Sequence, residues 1–476
     1  MSTAVQDMAD QEKSKANATE DSVPSTSQAG STSQDEESGP AFAGMYRRAQ
    51  THVEVELEDY FKGPRDIYKH SKWPYFLRLH GSVLPKMIIP LLFIGLWATA
   101  IQLIYTFVYD IGIESVLLTV LGFVVGLALS FRSSTAYERY AEGRRYWAQL
   151  LWTSRNIARL IWVHAIERHA ESADLGKTDV LSKLAALNLL NAFAVSLKHH
   201  LRFEPSTEYP DLAPLISNIH TLAGDADQAA LREQKASSWK TVGQSLGVPF
   251  AESNPRKLLK KSRENLGNTP LEVLTYLSAY VESLFQNKQL NFPIHQTTAI
   301  NQLVALTDVL TGVERVVNTP LPIAYSISIA QITWEYVMVL PFQLVRLLNW
   351  VTIPGTMVAA YIILGLAQIG RELENPFGQD VNDLPLDAYC QELANDIDAL
   401  TSEPAPLNND DWMKNGGAKV MWPLSNMEYK GWEARSLEEI RAALKAKANS
   451  KDVKTQRKET MIMSEAMVED ARGGDE

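Results

Sequence analysis

The sequence has very little cysteine: Cys390 is the single one in 476 residues. A lone cysteine excludes an internal disulfide framework and any zinc site built from several cysteines. Nothing around Cys390 points to the depressed pKa that a reactive thiol requires. We therefore expect Cys390 to pack as a small apolar side chain.

Sequence patterns of catalysis are also missing. No glycine-rich loop of the kind that cradles phosphates occurs, and no nucleophilic triad can be assembled without guessing. His164, His169, His199 and His200 do not combine with Cys or acidic residues into a recognised metal pattern, and we expect His199 and His200 on a helix surface. The sequence predicts no enzyme activity, no resident cofactor and no nucleic-acid partner.

Large apolar side chains are almost absent from residues 1–40. This segment carries eight acidic residues against two lysines, so it supplies more than half of the net charge of −11. It cannot bury enough apolar surface to offset the entropy of ordering. It also lacks the basic start and apolar core of a secretory signal. We predict a disordered acidic tail over residues 1–40.

Long apolar runs are present, although the mean hydropathy of −0.14 conceals them. Each of four runs is long enough to cross a bilayer core of about 30 Å as a helix. The predicted spans lie at about residues 87–107, 113–131, 321–349 and 350–368. The sequence therefore predicts an all-α, multi-pass membrane protein embedded in a lipid bilayer.

The charges that flank the first two runs predict their orientation. Lys72, Arg78 and Lys86 precede the first run and several arginines follow the second, whereas the connection carries Asp110 and Glu114 but no Lys or Arg. Basic residues are retained on the cytoplasmic side of a membrane. We predict that both termini are cytoplasmic, and we favour the plasma membrane over an internal membrane.

The second run has two distinct helix faces. Small residues recur every four positions and would let neighbouring helices approach closely. These small residues are Gly122, Gly126 and Ser130. Phe123, Leu127 and Phe131 repeat at the same interval, about 100° further around the helix. Spacing alone leaves two interpretations: these three face lipid or other helices, or they line a hydrophobic throat where several copies surround an axis.

The chain becomes charged directly after Phe131, yet apolar residues keep helical spacing and no proline intervenes. We predict one long helix that leaves the membrane and continues through water. Apolar groups at three- and four-residue spacing recur in residues 132–203 and 269–317, as the helices of a bundle require. The four spans are therefore expected to be continuous with a cytosolic helical bundle.

Two further segments differ from this pattern. Residues 204–268 contain Pro, Gly and Ser interruptions and are predicted to be an insertion. Its basic patch, Arg256–Arg263, either meets anionic lipid headgroups or forms a solvated helix face. Residues 401–476 are predicted to be a polar C-terminal tail with one short helix, which Ser436 and Glu439 introduce at capping-box spacing.

Several motifs resemble the bestrophin family, closest to its bacterial and fungal branch. The most specific is FRSSTAYERYAEGRRYWAQL, which directly follows the second predicted span. The others are WPYFLRLHGSVLPK, SLKHHLR, TGVERVVNTPLPIAYS and ENPFGQDVNDLPLDAYCQEL. Because the motifs occur in the family's order and cover most of Trp73 to about Asp398, we place a bestrophin-like channel domain at residues 41–400.

The resemblance implies a channel that assembles as a homopentamer around one pore. By position, the family's hydrophobic neck falls on Phe123, Leu127 and Phe131, and its narrower cytosolic aperture falls on Ile294. Most family members characterised as channels conduct chloride and other small monovalent anions, and some bacterial relatives favour cations. We therefore expect a chloride channel, with a cation-selective channel as the alternative.

The run after the last span bears on regulation by calcium. In animal bestrophins the run after NPFG is strongly acidic and helps to form a calcium-binding clasp. Three residues that could belong to such a clasp are present here, namely Asn375, Asp380 and Asp383. Other positions have lost their acids, namely Gln379, Val381 and Asn382. Because calcium takes six to eight oxygen ligands, we expect a structural corner here, and the calcium site is the disfavoured alternative.

Glu335 interrupts the third predicted span. A carboxylate within a membrane is costly and usually faces protein or water. It belongs to an anion pathway or proton-linked site, as in a coupled transporter, or it has a structural place in a hydrogen-bonded helix contact or at the membrane interface. A membrane-anchored scaffold has the same spans and bundle, so it remains an alternative to a channel.

Overall fold

The structure is a computed structural model that describes Pro74 and residues 77–231, 265–406 and 410–449. All of these residues belong to one unit, Glu56–Glu476. The predicted acidic tail at residues 1–40 and the basic patch Arg256–Arg263 lie outside the described residues.

Within the described ranges every regular element is a helix. The α-helices are α1 Leu84–Phe107, α2 Ser115–Arg159, α3 Ala173–Leu201, α4 Ala213–Ile216, α5 Leu222–Asp225, α6 Gln228–Leu231, α7 Thr269–Gln286, α8 Pro293–Asn318, α9 Ile323–Leu348, α10 Thr352–Glu372, α11 Leu386–Thr401, α12 Tyr429–Glu433 and α13 Leu437–Asn449. An all-α protein was predicted, and the described part of the chain is all-helical.

The fold is organised by α2, which has 45 residues and at 1.5 Å per residue is about 67 Å long. It starts in the second apolar run and continues through Phe131 and Arg132 without a break. A π-helical turn, Leu160–His164, follows it, and extended backbone at Ala165 then ends the helix. One helix is therefore shared by the apolar, membrane-facing half of the molecule and the charged half.

Four stretches are long and apolar enough to cross a membrane: Leu84–Phe107, Leu118–Ala170, Ala173–Leu201 and Ile323–Glu372. Four spans were predicted and four such stretches are found, but the two sets do not contain the same helices. Ile323–Glu372 contains both α9 and α10, joined by the single turn Asn349–Val351, and so includes two of the predicted spans. The additional stretch is α3.

We assign α3 to the helical bundle despite its apolar composition. Of its most apolar window, 61% is buried within the protein, against 33% for α1. Asp179, Lys183 and Lys198 on α3 are buried and have charged partners from other parts of the chain. Ion pairs of this kind are unsuited to a lipid-facing helix. Its hydropathy therefore reflects burial by protein on most sides.

Two kinds of core result. The bundle has one large core drawn from the later part of α2 and from α3, α7, α8 and α11, with Trp147, Phe193 and Leu306 fully buried. Cys390 packs against this core, and burial raises the pKa of its thiol to about 12. The apolar half has smaller clusters, such as that of Ile94, Val337 and Ala360 from α1, α9 and α10.

The described part of the predicted insertion packs on the bundle. Leu212 and Ile216, beside and within α4, belong to the bundle core. Thr221 caps α5, because its side chain accepts a hydrogen bond from the backbone N–H of Gly224 at 3.1 Å. Near the other end of the chain, the Ser436 hydroxyl accepts a hydrogen bond from the N–H of Glu439 at 3.3 Å, at the start of α13.

Candidate ion pathway

The first part of α2 has one face against its own chain and one face turned away. Val125 and Leu129 are 2% and 4% exposed and pack with Ile329 of α9. Phe123 is 73% exposed and Phe131 59%. Because residues two apart on a helix differ by about 200° in direction, Phe123 points away from the face that carries Val125. The predicted neck residues are therefore largely exposed, with Leu127 at 46%.

The two glycines of the predicted small-residue stripe have different surroundings. At Gly122 an added Cβ atom would lie 3.1 Å from the hydroxyl of Tyr336 on α9. At Gly126 it would meet nothing within 4 Å. Gly122 thus permits a close contact within the chain, whereas Gly126 lies on a surface that the same chain leaves open.

The arginines that follow the neck hold neighbouring helices together. Arg139 donates to the backbone carbonyls of Val316 at 2.7 Å and Glu374 at 3.0 Å, and also to that of Thr319. The Val316 carbonyl is one of the last in α8 and so has no partner within its own helix. Arg132 is only 7% exposed, and its guanidinium lies 3.7 Å from the carboxylate of Glu374.

Ile294, the predicted aperture residue, lies in the first turn of α8 and is 68% exposed. α8 runs antiparallel to α2, since Gln149 donates to Asp308 and the ring of His164 contacts that of His295. Ile294 is therefore near the far end of α2, about 50 Å along that helix from Phe131. The structure thus separates the two predicted constrictions by most of the length of the bundle.

The remnant of the predicted calcium clasp forms a closed polar corner. The Asp383 carboxylate accepts the backbone N–H of Asp380 at 2.7 Å, and its burial raises its pKa to about 7. The Asp380 carboxylate lies 3.3 Å from the ammonium of Lys86. Among the described residues no group of three or more His, Cys, Asp or Glu could hold a metal ion. Both carboxylates of this corner already have partners within the chain.

The same corner ties the end of α10 to the start of α1. Lys86 pairs with Glu372 at 3.0 Å, and the Asn382 amide donates to Glu372 at 2.8 Å and to the carbonyl of Gly81 at 3.1 Å. Lys86 and Glu372 lie near the ends of two membrane-facing helices. The segment after NPFG therefore joins those helices to the bundle, since α11 begins a few residues later at Leu386.

His199 contradicts the prediction that it lies on a helix surface. It is 6% exposed, and its two ring nitrogens lie 2.6 Å from a Glu204 oxygen and 3.0 Å from an Asp211 oxygen. Only the imidazolium form can donate to both carboxylates. Burial opposes the charge, but the bonds to Asp211 and Glu204 outweigh burial and raise the pKa of His199. The same cluster includes Lys198, which pairs with Asp211 and with Asp387 of α11.

No sequence pattern indicated this cluster, because its acids come from the predicted insertion and from α11. His200 is only half-buried and pairs with Glu314 of α8 at 2.9 Å. Glu335 lies on an exposed face of α9. It has no ion pair or side-chain hydrogen bond with any other described residue.

Fold and site together define a class of protein: an all-helical, multi-pass membrane protein whose central long helix presents an unpartnered apolar face. Residues 66–399 match the family described as Bacterial/Fungal Bestrophin protein. The chain therefore belongs to the bestrophin family, as its motifs predicted.

The chain is similar to several known proteins over most of their length. A Synechocystis protein named voltage-dependent anion channel-forming protein sll1024 is 33% identical over 329 residues, which make up 69% of this chain and 91% of that protein. A Nostoc protein named voltage-dependent anion channel-forming protein alr2987 is 34% identical over 327 residues, 68% of this chain and 90% of that protein. A single-residue variant of a bacterial bestrophin homologue from Klebsiella pneumoniae, solved by crystallography, is 24% identical, with coverage of 67% of this chain and 100% of that one and a TM-score of 0.49.

Proposed function

We propose that this protein is an anion channel that assembles as a pentamer, with Phe123, Leu127 and Phe131 as its neck and Ile294 as its aperture. The observation that carries the proposal is the neck face of α2, which is exposed and turned away from the subunit's own helices. Membership of the bestrophin family and the printed names of the Synechocystis and Nostoc relatives support it.

Assembly around an axis accounts for the exposed apolar side chains of α2. In a single chain these side chains have no protein partner, and five copies would direct them toward a common centre. A ring of Phe and Leu makes a constriction that passes ions only when water fills it, so it can gate by losing water. Gly126, which meets nothing within its own chain, would then lie where an adjacent copy can approach closely.

A neck of Phe and Leu carries no formal charge with which to select the sign of an ion. Selectivity must then come from partial charges, such as aromatic ring edges and helix N-termini. The N-terminus of α8 begins at Pro293, beside Ile294. A helix N-terminus carries a partial positive charge, which favours an anion at the proposed aperture.

In this proposal the bundle and both termini are cytoplasmic, and the plasma membrane is the favoured location. Lys86 lies near the start of α1, and Arg132 lies where α2 leaves its apolar stretch and enters the bundle, on the side where basic residues are retained. At the other end of the spans, Arg346 is paired with Asp110 at 3.0 Å, so its charge is partly offset on the outer side.

The test is the reversal potential of the purified, full-length protein in a planar bilayer under a KCl gradient. An anion channel gives a reversal potential near the equilibrium potential of chloride. A value near that of potassium would mean a cation-selective pore. No current from intact oligomers, either as wild type or with the neck residues replaced by alanine, would favour the membrane scaffold.

A further inference from the structure

Three basic side chains gather where α2 ends: Arg159, His164 and His295. Arg159 and His164 are exposed, and His295 is half-buried in the first turn of α8. Within the described ranges none of the three has an ion pair or a side-chain hydrogen bond. Arg155, one turn before Arg159, does have acidic partners, since it pairs with Glu392 and Asp396 at 2.6 Å each. Among the described residues, no ion pair neutralises the positive charge of Arg159 at this end of α2.

The histidines lie beside the helical turn that carries the proposed aperture residue. The rings of His164 and His295 are 4.4 Å apart between centroids. The edge of Phe292 meets His295 at 5.5 Å, with the two planes 75° apart. Ile294 lies between Phe292 and His295 in sequence and is 68% exposed. The histidine pair is thus held against the same helical turn that presents Ile294 to solvent.

Two acids lie beside this turn, Glu167 and Glu403. The backbone carbonyl of Glu403 accepts the indole N–H of Trp162 at 3.1 Å, and its exposed side chain makes no ion pair with Arg159, His164 or His295. Glu167, the next carboxylate after His164 along the chain, is bonded to Lys183 and His169, both at 2.9 Å. Burial and the charges of His295 and Arg159 lower the pKa of His164. His164 therefore gains its charge in more acidic solution than an ordinary histidine does. The positive end of α8 adds to the same field.

We infer that Arg159, His164 and His295 form a collar at the aperture that attracts small monovalent anions and strengthens when the bundle side is acidified. This inference rests on the proposed function, which supplies the pore. Fixed charge in a narrow opening raises the local concentration of counter-ions. Its range is about one Debye length, about 8–10 Å at ordinary salt, so only charges at the opening contribute strongly.

The experiment uses full-length protein in planar bilayers and measures chloride current and the chloride-to-sodium permeability ratio. The bundle side is taken from about pH 7.5 to about pH 5.5, a range that brackets the ordinary histidine pKa. We expect the wild-type ratio to rise about twofold in acid. The double variant His164→Gln/His295→Gln should lose this rise. Arg159→Gln should lower the ratio at both pH values.

Arg145→Gln is the matched control. Arg145 is also an exposed arginine of α2 without an ion pair among the described residues, but it lies about 21 Å back along the helix. That distance is about two Debye lengths, so the variant should retain both the ratio and its pH response. Size-exclusion chromatography verifies that each variant assembles as the wild type does.

The possible outcomes separate the collar from the channel. If the wild type conducts anions but the histidine variant keeps the full pH response and Arg159→Gln keeps the ratio, the collar is refuted and the proposed function stands. An effect of Arg145→Gln as large as that of Arg159→Gln also refutes a localised collar. If the wild type carries no anion current, the proposed function fails and the collar fails with it.

Discussion

The membrane-facing half and the bundle are held together in different ways, although α2 runs through both. In the apolar half, helices meet through close packing and isolated polar contacts, such as the bond from the Trp97 indole N–H to the Met338 carbonyl at 2.9 Å. In the bundle, charged side chains are buried in pairs beside a large apolar core. Lipid supplies no hydrophobic driving force between helices, so close packing of side chains must stabilise the apolar half. In water, the burial of apolar surface stabilises the bundle.

This contrast explains why one helix can serve two purposes. Trp147 is completely buried, with 0% exposure, and around it α2 packs against α3, α8 and α11 on several sides. Around Phe123, α2 is fixed on one side only. The bundle therefore anchors the helix, and the apolar half leaves one face of it exposed.

The largest expected effect is on stability, at the centre of the bundle. Trp147→Ala should lower the free energy of unfolding by about 3–5 kcal/mol, because a large buried side chain is lost and a cavity remains. Trp152→Ala on the same helix is the matched control, since Trp152 is 58% exposed. It should cost much less. Thermal unfolding in detergent measures both, and equal losses would contradict the assignment of the core.

The charged part of the bundle should respond to pH through His199. The pKa of His199 is raised in the folded state, so its bonds stabilise the fold fully below the ordinary unfolded value of about 6.5. That stabilisation is lost as the pH rises through the folded pKa. His199→Gln should cost about 1.5–3 kcal/mol in acid, the range for hydrogen bonds to charged groups, and less in alkali.

The measurement is the unfolding midpoint of the wild type and of His199→Gln at pH values from below to above the ordinary histidine pKa of about 6.5. The difference between them should shrink as the pH rises. His200→Gln provides the control, because His200 is less buried and has one acidic partner, Glu314. A constant difference between wild type and His199→Gln at every pH would show that the ring is not charged in the folded protein.

A smaller effect should separate the two glycines in the apolar half. Gly122→Ala brings a methyl group to 3.1 Å from the Tyr336 hydroxyl, and such overpacking costs about 1–3 kcal/mol unless the ring shifts. Gly126→Ala meets nothing within its own chain, so it should leave the folding of the subunit unchanged and instead weaken assembly. Comparing unfolding midpoints with the fraction of oligomer checks this, and the opposite pattern would reverse the two roles.

Much of the fold follows from local pattern. The apolar runs and the uninterrupted periodicity after Phe131 predict the first two membrane-facing helices and the continuation of α2 beyond its apolar stretch, because neither depends on distant residues. The family motifs predicted membership of the bestrophin family, which the match of residues 66–399 confirmed. The burial of α3 can also be predicted from the sequence, because apolar groups recur on several of its faces.

The polar contacts were not predictable in the same way. His199 stands beside His200 in sequence and differs from it only in what the loop at Glu204 and Asp211 brings to it. Gly122 and Gly126 have the same spacing signal, and only the position of Tyr336 distinguishes them. Spacing reports which residues share a face, but the partner of that face comes from another part of the chain.

The central claim is that the exposed face of α2 is the gate of a pore. The direct test is the single-channel current of Phe123→Ala/Leu127→Ala/Phe131→Ala beside that of Leu96→Ala, a control on α1 that is also 73% exposed. Widening and wetting the neck should raise the conductance or hold the channel open, whereas Leu96→Ala should behave as the wild type. Unchanged currents in a correctly assembled triple variant would contradict the assignment of the neck.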